Sequence, residues 1–189
     1  MSLAQVPILE TWEAMEVCVE KGLIRHIGVS NFSIKKLDTL ICESKIKPEM
    51  NQIELHPFLQ QNRMIAYCKA NQILLTAYSP LGSSDRPAAW KAENEPSLLE
   101  NAIILEIAEK HNCTPAQVLI KWAVDRGTAV IPKSVNPTRL TENLAAMDIS
   151  LFEQDMAAIA TLDSHSRYIL GDSWEIPGSP YAGGNLWDE

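Results

Sequence analysis

The chain has 189 residues, 46% of them apolar and 21% charged, which is enough for a domain with a sizeable core and too apolar for disorder over most of its length. Its formal net charge of -8 disfavours any general attraction to nucleic acid or to an anionic membrane, while leaving room for a local basic site. No run of about 18 apolar residues occurs, and the first residues lack a charged stretch followed by an apolar one, so neither a transmembrane helix nor a signal peptide is expected.

In chain order, Ile8, Leu9, Trp12, Met15 and Val19 recur at helical spacing and predict a first helix ending near Gly22. Ile27-Gly28-Val29 is short and β-branched and reads as a strand. A second helix is predicted after Ser33, with Ile34, Leu37, Leu40 and Ile41 on its buried face. Gln52-Ile53-Glu54-Leu55 follows as a second strand. Asn62 to Asn71 reads as a third helix, and Ile73-Leu74-Leu75-Thr76-Ala77-Tyr78 as a third strand. Two helices then precede the fourth strand, Ala129-Val130-Ile131. One contains Ile103, Leu105, Ile107 and Ala108. The other opens at Thr114-Pro115-Ala116-Gln117, which combines an N-cap, a first-turn proline and a capping-box glutamine. Asn136-Pro137 is another helix start of this kind. Ser150-Leu151-Phe152-Glu153 reads as a further capping box, opening a late helix through Ala160.

After about Leu162 the pattern dissolves. Gly171, Pro177, Gly178, Pro180, Gly183 and Gly184 punctuate a tail that carries Trp174, Tyr181 and Trp187. Those aromatics are out of place in a purely solvated segment, so the tail is expected to fold over something. The expected division is a body of residues 1–165 and a carboxyl-terminal loop of residues 166–189. Strands alternating with helices imply repeated βα units with parallel strands. Four such units are half of an eightfold barrel, or a small open sheet with helices on both faces; periodicity alone leaves both open.

Cys18, Cys42, Cys68 and Cys113 are widely spread and form no C-x-x-C pair, so no disulfide framework or zinc site is expected and a reducing, cytoplasmic compartment fits better. His26, His56, His111 and His165 show no metal-ligand spacing. Neither a G-x-G-x-x-G turn nor a phosphate-binding G-x-x-x-x-G-K-[ST] loop is present. A dinucleotide, if bound, would need side chains and helix amino termini to hold its phosphates. Val130-Ile131-Pro132-Lys133-Ser134-Val135-Asn136-Pro137-Thr138-Arg139 supplies such a place. A strand ends, Lys133 and Ser134 follow, and a helix opens with free amides and the positive end of its dipole. Arg139 in the first helical turns is unfavourable to that dipole unless an anion lies between, and its fork suits phosphate oxygens.

Three blocks, in order, resemble the aldo-keto reductase family. They are Gly22-Leu23-Ile24-Arg25-His26-Ile27-Gly28-Val29-Ser30-Asn31-Phe32; Asn51-Gln52-Ile53-Glu54-Leu55-His56-Pro57 with Ala77-Tyr78-Ser79-Pro80-Leu81-Gly82; and Ile131-Pro132-Lys133-Ser134 with Arg139, Glu142 and Asn143. The likeness runs from about residue 8 to the carboxyl terminus. It implies an α/β fold of the (β/α)8 TIM-barrel family, here a partial barrel of about four βα units plus the carboxyl-terminal loop. It also implies reduction of aldehydes or ketones with NADP(H). By the same resemblance, Ser30, Asn31 and Gln52 would bind the nicotinamide carboxamide and Tyr78 would stack on its ring. Ser79, Leu81, Ser83 and Asp85 would lie along the pyrophosphate. Lys133, Ser134, Asn136 and Arg139 would hold the adenosine ribose and its 2′-phosphate, and Glu142 and Asn143 the adenine amine. A phosphate site after the late strands of such a barrel agrees with this arrangement.

The resemblance further implies a catalytic tyrosine, lysine, aspartate and histidine on strands that would precede this chain. No catalytic residue is therefore assigned, since Tyr67, Tyr168 and Tyr181 do not sit in the donor motif, and the chain alone is expected to lack efficient turnover. A non-catalytic NADPH-binding or partner-docking protein is the alternative, and a ligand-free remnant the third. Half a barrel would leave Ile27-Val29 and Val130-Ile131 as open edges, so the chain is expected to dimerise, pair with a complementary half, or aggregate.

Overall fold

The computed structural model describes residues 6–179, 181 and 186–188. The first five residues, and Pro180, Gly183 and Gly184 of the predicted tail, lie outside the described residues. The chain runs α1 (Ile8–Glu20), β1 (Val29–Ser30), α2 (Ile34–Glu43), β2 (Met50–Glu54), α3 (Asn62–Asn71), β3 (Leu74–Tyr78), α4 (Ala102–Lys110), α5 (Pro115–Asp125), β4 (Ala129–Val130), α6 (Pro137–Leu144) and α7 (Glu153–Ala160). The strands form one sheet in the order β1-β2-β3-β4, with β1 on β2 and β3 on β4 both parallel. The strands follow one another in sequential order with helices between them, and β1 and β4 stand at the two ends of that order, where the edges are expected. Short 3-10 turns at Ala88–Trp90, Leu98–Glu100, Ala145–Asp148 and Asp172–Trp174 were not foreseen. No helix among the described residues is long and apolar enough to cross a membrane.

The chain divides into two compact units. One comprises the described residues up to Ile53, Asn62–Leu75, and the described residues from Leu170 onward; the other comprises Glu54–Gln61 and Thr76–Ile169. In the first unit, Trp12, Ile27 and Leu40 form a buried cluster, with Leu9, Met15, Val19, Val29, Phe32 and Ile46 packed on it. Of these, Leu9, Trp12, Met15, Val19 and Leu40 are residues that the helical spacing of α1 and α2 set on one face. Trp12 is completed by donating its indole N–H to Ile46 O at 2.8 Å. Ser33 caps α2 by accepting the Lys36 N–H at 3.1 Å. At the entry to β1 the backbone passes close to β2. A Cβ placed on Gly28 would lie 2.7 Å from Met50 O, closer than any real contact.

In the second unit, α4 and α5 bury Ile104, Ile107, Ala108, Val118, Leu119, Ile120, Trp122 and Ala123. The predicted capping box is present: Thr114 Oγ1 accepts the Gln117 N–H at 3.2 Å and Gln117 Oε1 accepts the Thr114 N–H at 2.9 Å. The expected box at Ser150 is not. The N-cap position of α7 falls on Phe152, whose N–H donates to Asp155 Oδ2 at 2.9 Å. The Ser/Thr-x-x-Glu spacing misled because the carboxylate two residues beyond Glu153 takes the orphan amide instead. Asp155 is nearly fully buried and also gathers Lys110 Nζ and His111 Nε2, both at 2.7 Å. Burial opposes its charge, but Lys110, the Phe152 N–H and His111 outweigh burial and hold its pKa at about 2.

Two stability changes follow. Gly28→Ala is expected to cost about 1–3 kcal/mol through overpacking against β2, read as a lower urea midpoint with unchanged slope. Asp155→Ala should cost about 2–4 kcal/mol, because it strands His111 and the Phe152 N–H. The depressed Asp155 pKa contributes stability above the unfolded value of about 4, and that contribution is lost as pH falls from there through about 2. Wild type and Asp155→Asn should therefore converge in melting temperature in strong acid.

Candidate functional site

Of the residues singled out by sequence, Ser30 and Tyr78 end β1 and β3, Gln52 lies within β2, and the others follow the strands; each unit holds its own set. In the first unit, Asn31 N donates to Gln52 O at 2.9 Å and Ser30 Oγ donates to the same oxygen at 3.1 Å. Asn31 takes a positive φ of 59°, a conformation that asparagine tolerates better than most residues. The turn is fixed by Asn51, a fully buried residue that sequence reading passed over in favour of Gln52. Its side chain accepts the Phe32 N–H at 3.3 Å and donates to Phe32 O at 2.9 Å. This two-way bond does for the turn what a further strand pair would do. Asn31 Oδ1 is buried without a hydrogen-bond partner among the described residues. A buried acceptor in that state favours a ligand that brings an N–H, such as a carboxamide.

In the second unit, β3 ends at the half-buried Tyr78. Ser79 then turns with φ 49° and Gly82 with φ 83°, and Gly82 N donates to Ser79 O at 2.9 Å. The loop continues through half-buried Leu81 and Ser83 to exposed Asp85. Asp85 Oδ2 lies 3.0 Å from Lys133 Nζ, so the structure brings together two residues that are 48 apart in sequence. That hydrogen bond holds the Asp85 carboxyl below its usual range. Both side chains are largely solvated, so the pair is worth little as a stabiliser and is open to competition.

At α6, Asn136 Oδ1 accepts the Thr138 N–H at 2.9 Å and the Arg139 N–H at 3.3 Å, and Asn136 O accepts the Leu140 N–H at 3.0 Å. This corrects the expectation of free amides there. Pro137 has none to offer, and the asparagine cap already satisfies the next ones. Any anion is left with side chains and the residual dipole. Those side chains are present: Lys133 and Arg139 are exposed, and the Arg139 guanidinium makes no ion pair among the described residues. Ser134 Oγ is turned onto Asn136, accepting its N–H at 3.1 Å. Glu142 has its backbone carbonyl tied to Gln117 Nε2 at 3.0 Å, which holds α6 on α5, and Asn143 is half-buried on the same helix.

Two of the tyrosines set aside as proton donors are occupied. Tyr67 donates to Asp38 in a short hydrogen bond, and burial with that carboxylate drives its pKa well above the usual phenol range. Tyr168 donates its hydroxyl to Pro96 O at 2.8 Å. Tyr181 lies beneath the Lys36 ammonium, 5.9 Å from the ring centroid.

Parallel strands in sequential order, joined by helices and followed by polar loops at their carboxyl ends, fit part of a βα-barrel protein. A model of the aldo/keto reductase family matches residues 3–164. The chain is 55% identical over 179 residues to an aldo/keto reductase of Synechocystis sp., covering 95% of this chain and 55% of that protein. It is 44% identical over 161 residues to aldo-keto reductase family 1 member A1 of Cricetulus griseus, and 45% identical over 161 residues to its counterpart in Gallus gallus. Each of these matches covers 85% of this chain and 49% of the relative. The chain belongs to the aldo/keto reductase family and carries part of its TIM-barrel fold. It spans about half the length of the curated relatives it matches.

The Asn51 clamp generates a test of its own. Asn51→Leu removes the polar bridge, leaves both Phe32 backbone groups unsatisfied, and is expected to cost about 2–4 kcal/mol. Amide hydrogen exchange should show the Ser30-Asn31-Phe32 turn losing protection before α5 does.

Proposed function

We propose that this chain is the cofactor-holding part of an NADP(H)-dependent oxidoreductase that reduces aldehydes or ketones to alcohols. The observation that carries the reading is the pair of exposed cations, Lys133 and Arg139, flanking the amino end of α6 on a chain whose net charge is -8. Like charges gathered against the general sign of a surface serve an anion that comes to them. A phosphate monoester is dianionic near neutral pH, and the Arg139 fork can take two of its oxygens while Lys133 supplies a point charge. Ser134 and the Asn136 amide then address the ribose, and Glu142 and Asn143 the adenine amine.

On this reading, Ser30, Asn31 and Gln52 receive the carboxamide, with the unpartnered Asn31 Oδ1 accepting its N–H. Tyr78 offers a flat face to the nicotinamide, and Ser79, Leu81, Ser83 and Asp85 border the pyrophosphate. Bound NADPH would supply a hydride to the carbonyl carbon of the substrate. No residue of this chain is assigned the complementary proton transfer, since Tyr67 and Tyr168 are committed elsewhere. A reducing, cytoplasmic setting suits the four free cysteines. The outer strands β1 and β4 are the places where a second copy or a complementary piece would add to the sheet.

Lys133→Met combined with Arg139→Met should weaken NADPH by about 10–100-fold, as expected for the loss of charge-assisted contacts, and leave NADH nearly unchanged. Fluorescence titration of both cofactors measures this. Equal losses for the two would reject the 2′-phosphate assignment.

A further inference from the structure

The loop after β3 is long and has little regular structure, yet its centre is not free. Arg86 is buried, with 4% of its side chain exposed, and each of its three guanidinium nitrogens has a partner within the second unit. Nη1 donates to Ser83 O at 2.8 Å, Nε donates to Trp90 O at 3.2 Å, and Nη2 is ion-paired with Glu95. The guanidinium carbon stands 5.1 Å from the centroid of the Tyr168 ring. Tyr168 in turn lies against Gly82, where an added Cβ would sit 3.5 Å from the ring. Its hydroxyl donates to Pro96 O, and its N–H donates to the buried Glu54 carboxylate at 2.6 Å. The loop is thus held near both ends by one aromatic ring and in its middle by one cation. Residues 83 and 85, which border the proposed phosphate site, are the immediate neighbours of that cation.

We infer that Arg86 and Tyr168 are positioning residues for the phosphate-bordering loop. The inference rests on the NADP(H) reading above. A loop that must be ordered on binding loses backbone entropy at the expense of affinity, whereas a loop ordered beforehand does not. Arg86 and Tyr168 do that ordering through the loop's own carbonyls, without touching the ligand. Their removal should shorten the lifetime of a ligand that lies along the loop. A ligand held only at Lys133 and Arg139 should be indifferent.

The experiment uses the full 189-residue chain and two conservative variants. Tyr168→Phe keeps the ring and removes only the bond to Pro96 O. Arg86→Lys keeps the charge and removes the fork. Stopped-flow fluorescence measures NADPH release, and calorimetry measures adenosine 2′-monophosphate, which carries the 2′-phosphate but no pyrophosphate. Release should quicken about fivefold for Tyr168→Phe and about tenfold or more for Arg86→Lys, with adenosine 2′-monophosphate affinity changed less than about twofold. Unchanged release in both variants overturns the inference. So does a parallel loss for both ligands, which would mean general loosening of the unit. If the unaltered chain binds neither ligand, the NADP(H) reading itself fails and the inference with it.

Discussion

The second unit depends on a buried negative charge, one of two it holds with Asp155 among the described residues. Glu54 stands at the end of β2 with no exposed surface, so its carboxylate must find all its partners inside the protein. His56 Nε2 lies 2.8 Å away, and the N–H groups of Tyr168 and Ile169 donate at 2.6 and 3.1 Å. Burial alone would raise its pKa, but His56 and the two backbone donors outweigh burial and keep it below the usual carboxylate range. The cost of desolvating Glu54 is offset only while the chain near residue 168 returns to it. A local charge therefore fixes a contact 114 residues away in sequence. The hydrophobic packing of His56 against the Tyr168 ring, with centroids 4.8 Å apart, depends on that return.

From that anchor the chemistry extends outward by increasing exposure. Tyr168 and Arg86 are buried, Ser83 is half-buried, and Asp85 and Lys133 are solvated. This gradient suits a site for a charged ligand. Interactions that must hold before binding are made in low dielectric, where each is strong. Interactions that must yield to the ligand are made in water, where an ion pair is weak. Lys133 can therefore exchange Asp85 for a phosphate at little cost. The Arg86–Glu95 pair has no such freedom, because opening it would leave a charge buried and unpaired.

The helix amino terminus contributes less than its sequence promised. Asn136-Pro137 is a good helix start, but the same asparagine that starts α6 takes up the amides that an anion would have used. A strong cap and an open anion-binding amide set compete for the same donors. An anion at this junction would therefore have to rely on the guanidinium and the ammonium, with the dipole only assisting.

Much of this was legible in the residues alone. The spacing of Trp12, Met15 and Val19, the Ser33 and Thr114 caps, and the β-branched runs around Ile53 and Ala77 fixed helices and strands, because these signals act over one or two turns of chain. The three family-like blocks singled out Ser30, Gln52 and Tyr78, which lie on strands, and Lys133, which follows one. Short range is also where that reading failed: Ser150 looked like a cap, yet Asp155 took the amide. What only the tertiary structure decided is the set of distant partnerships: Asn51 with Phe32, Asp85 with Lys133, and Arg86 and Glu54 with Tyr168. Local sequence cannot announce them, because an asparagine, a glutamate or an arginine reads as a surface residue until folding removes the water and leaves it one partner to choose.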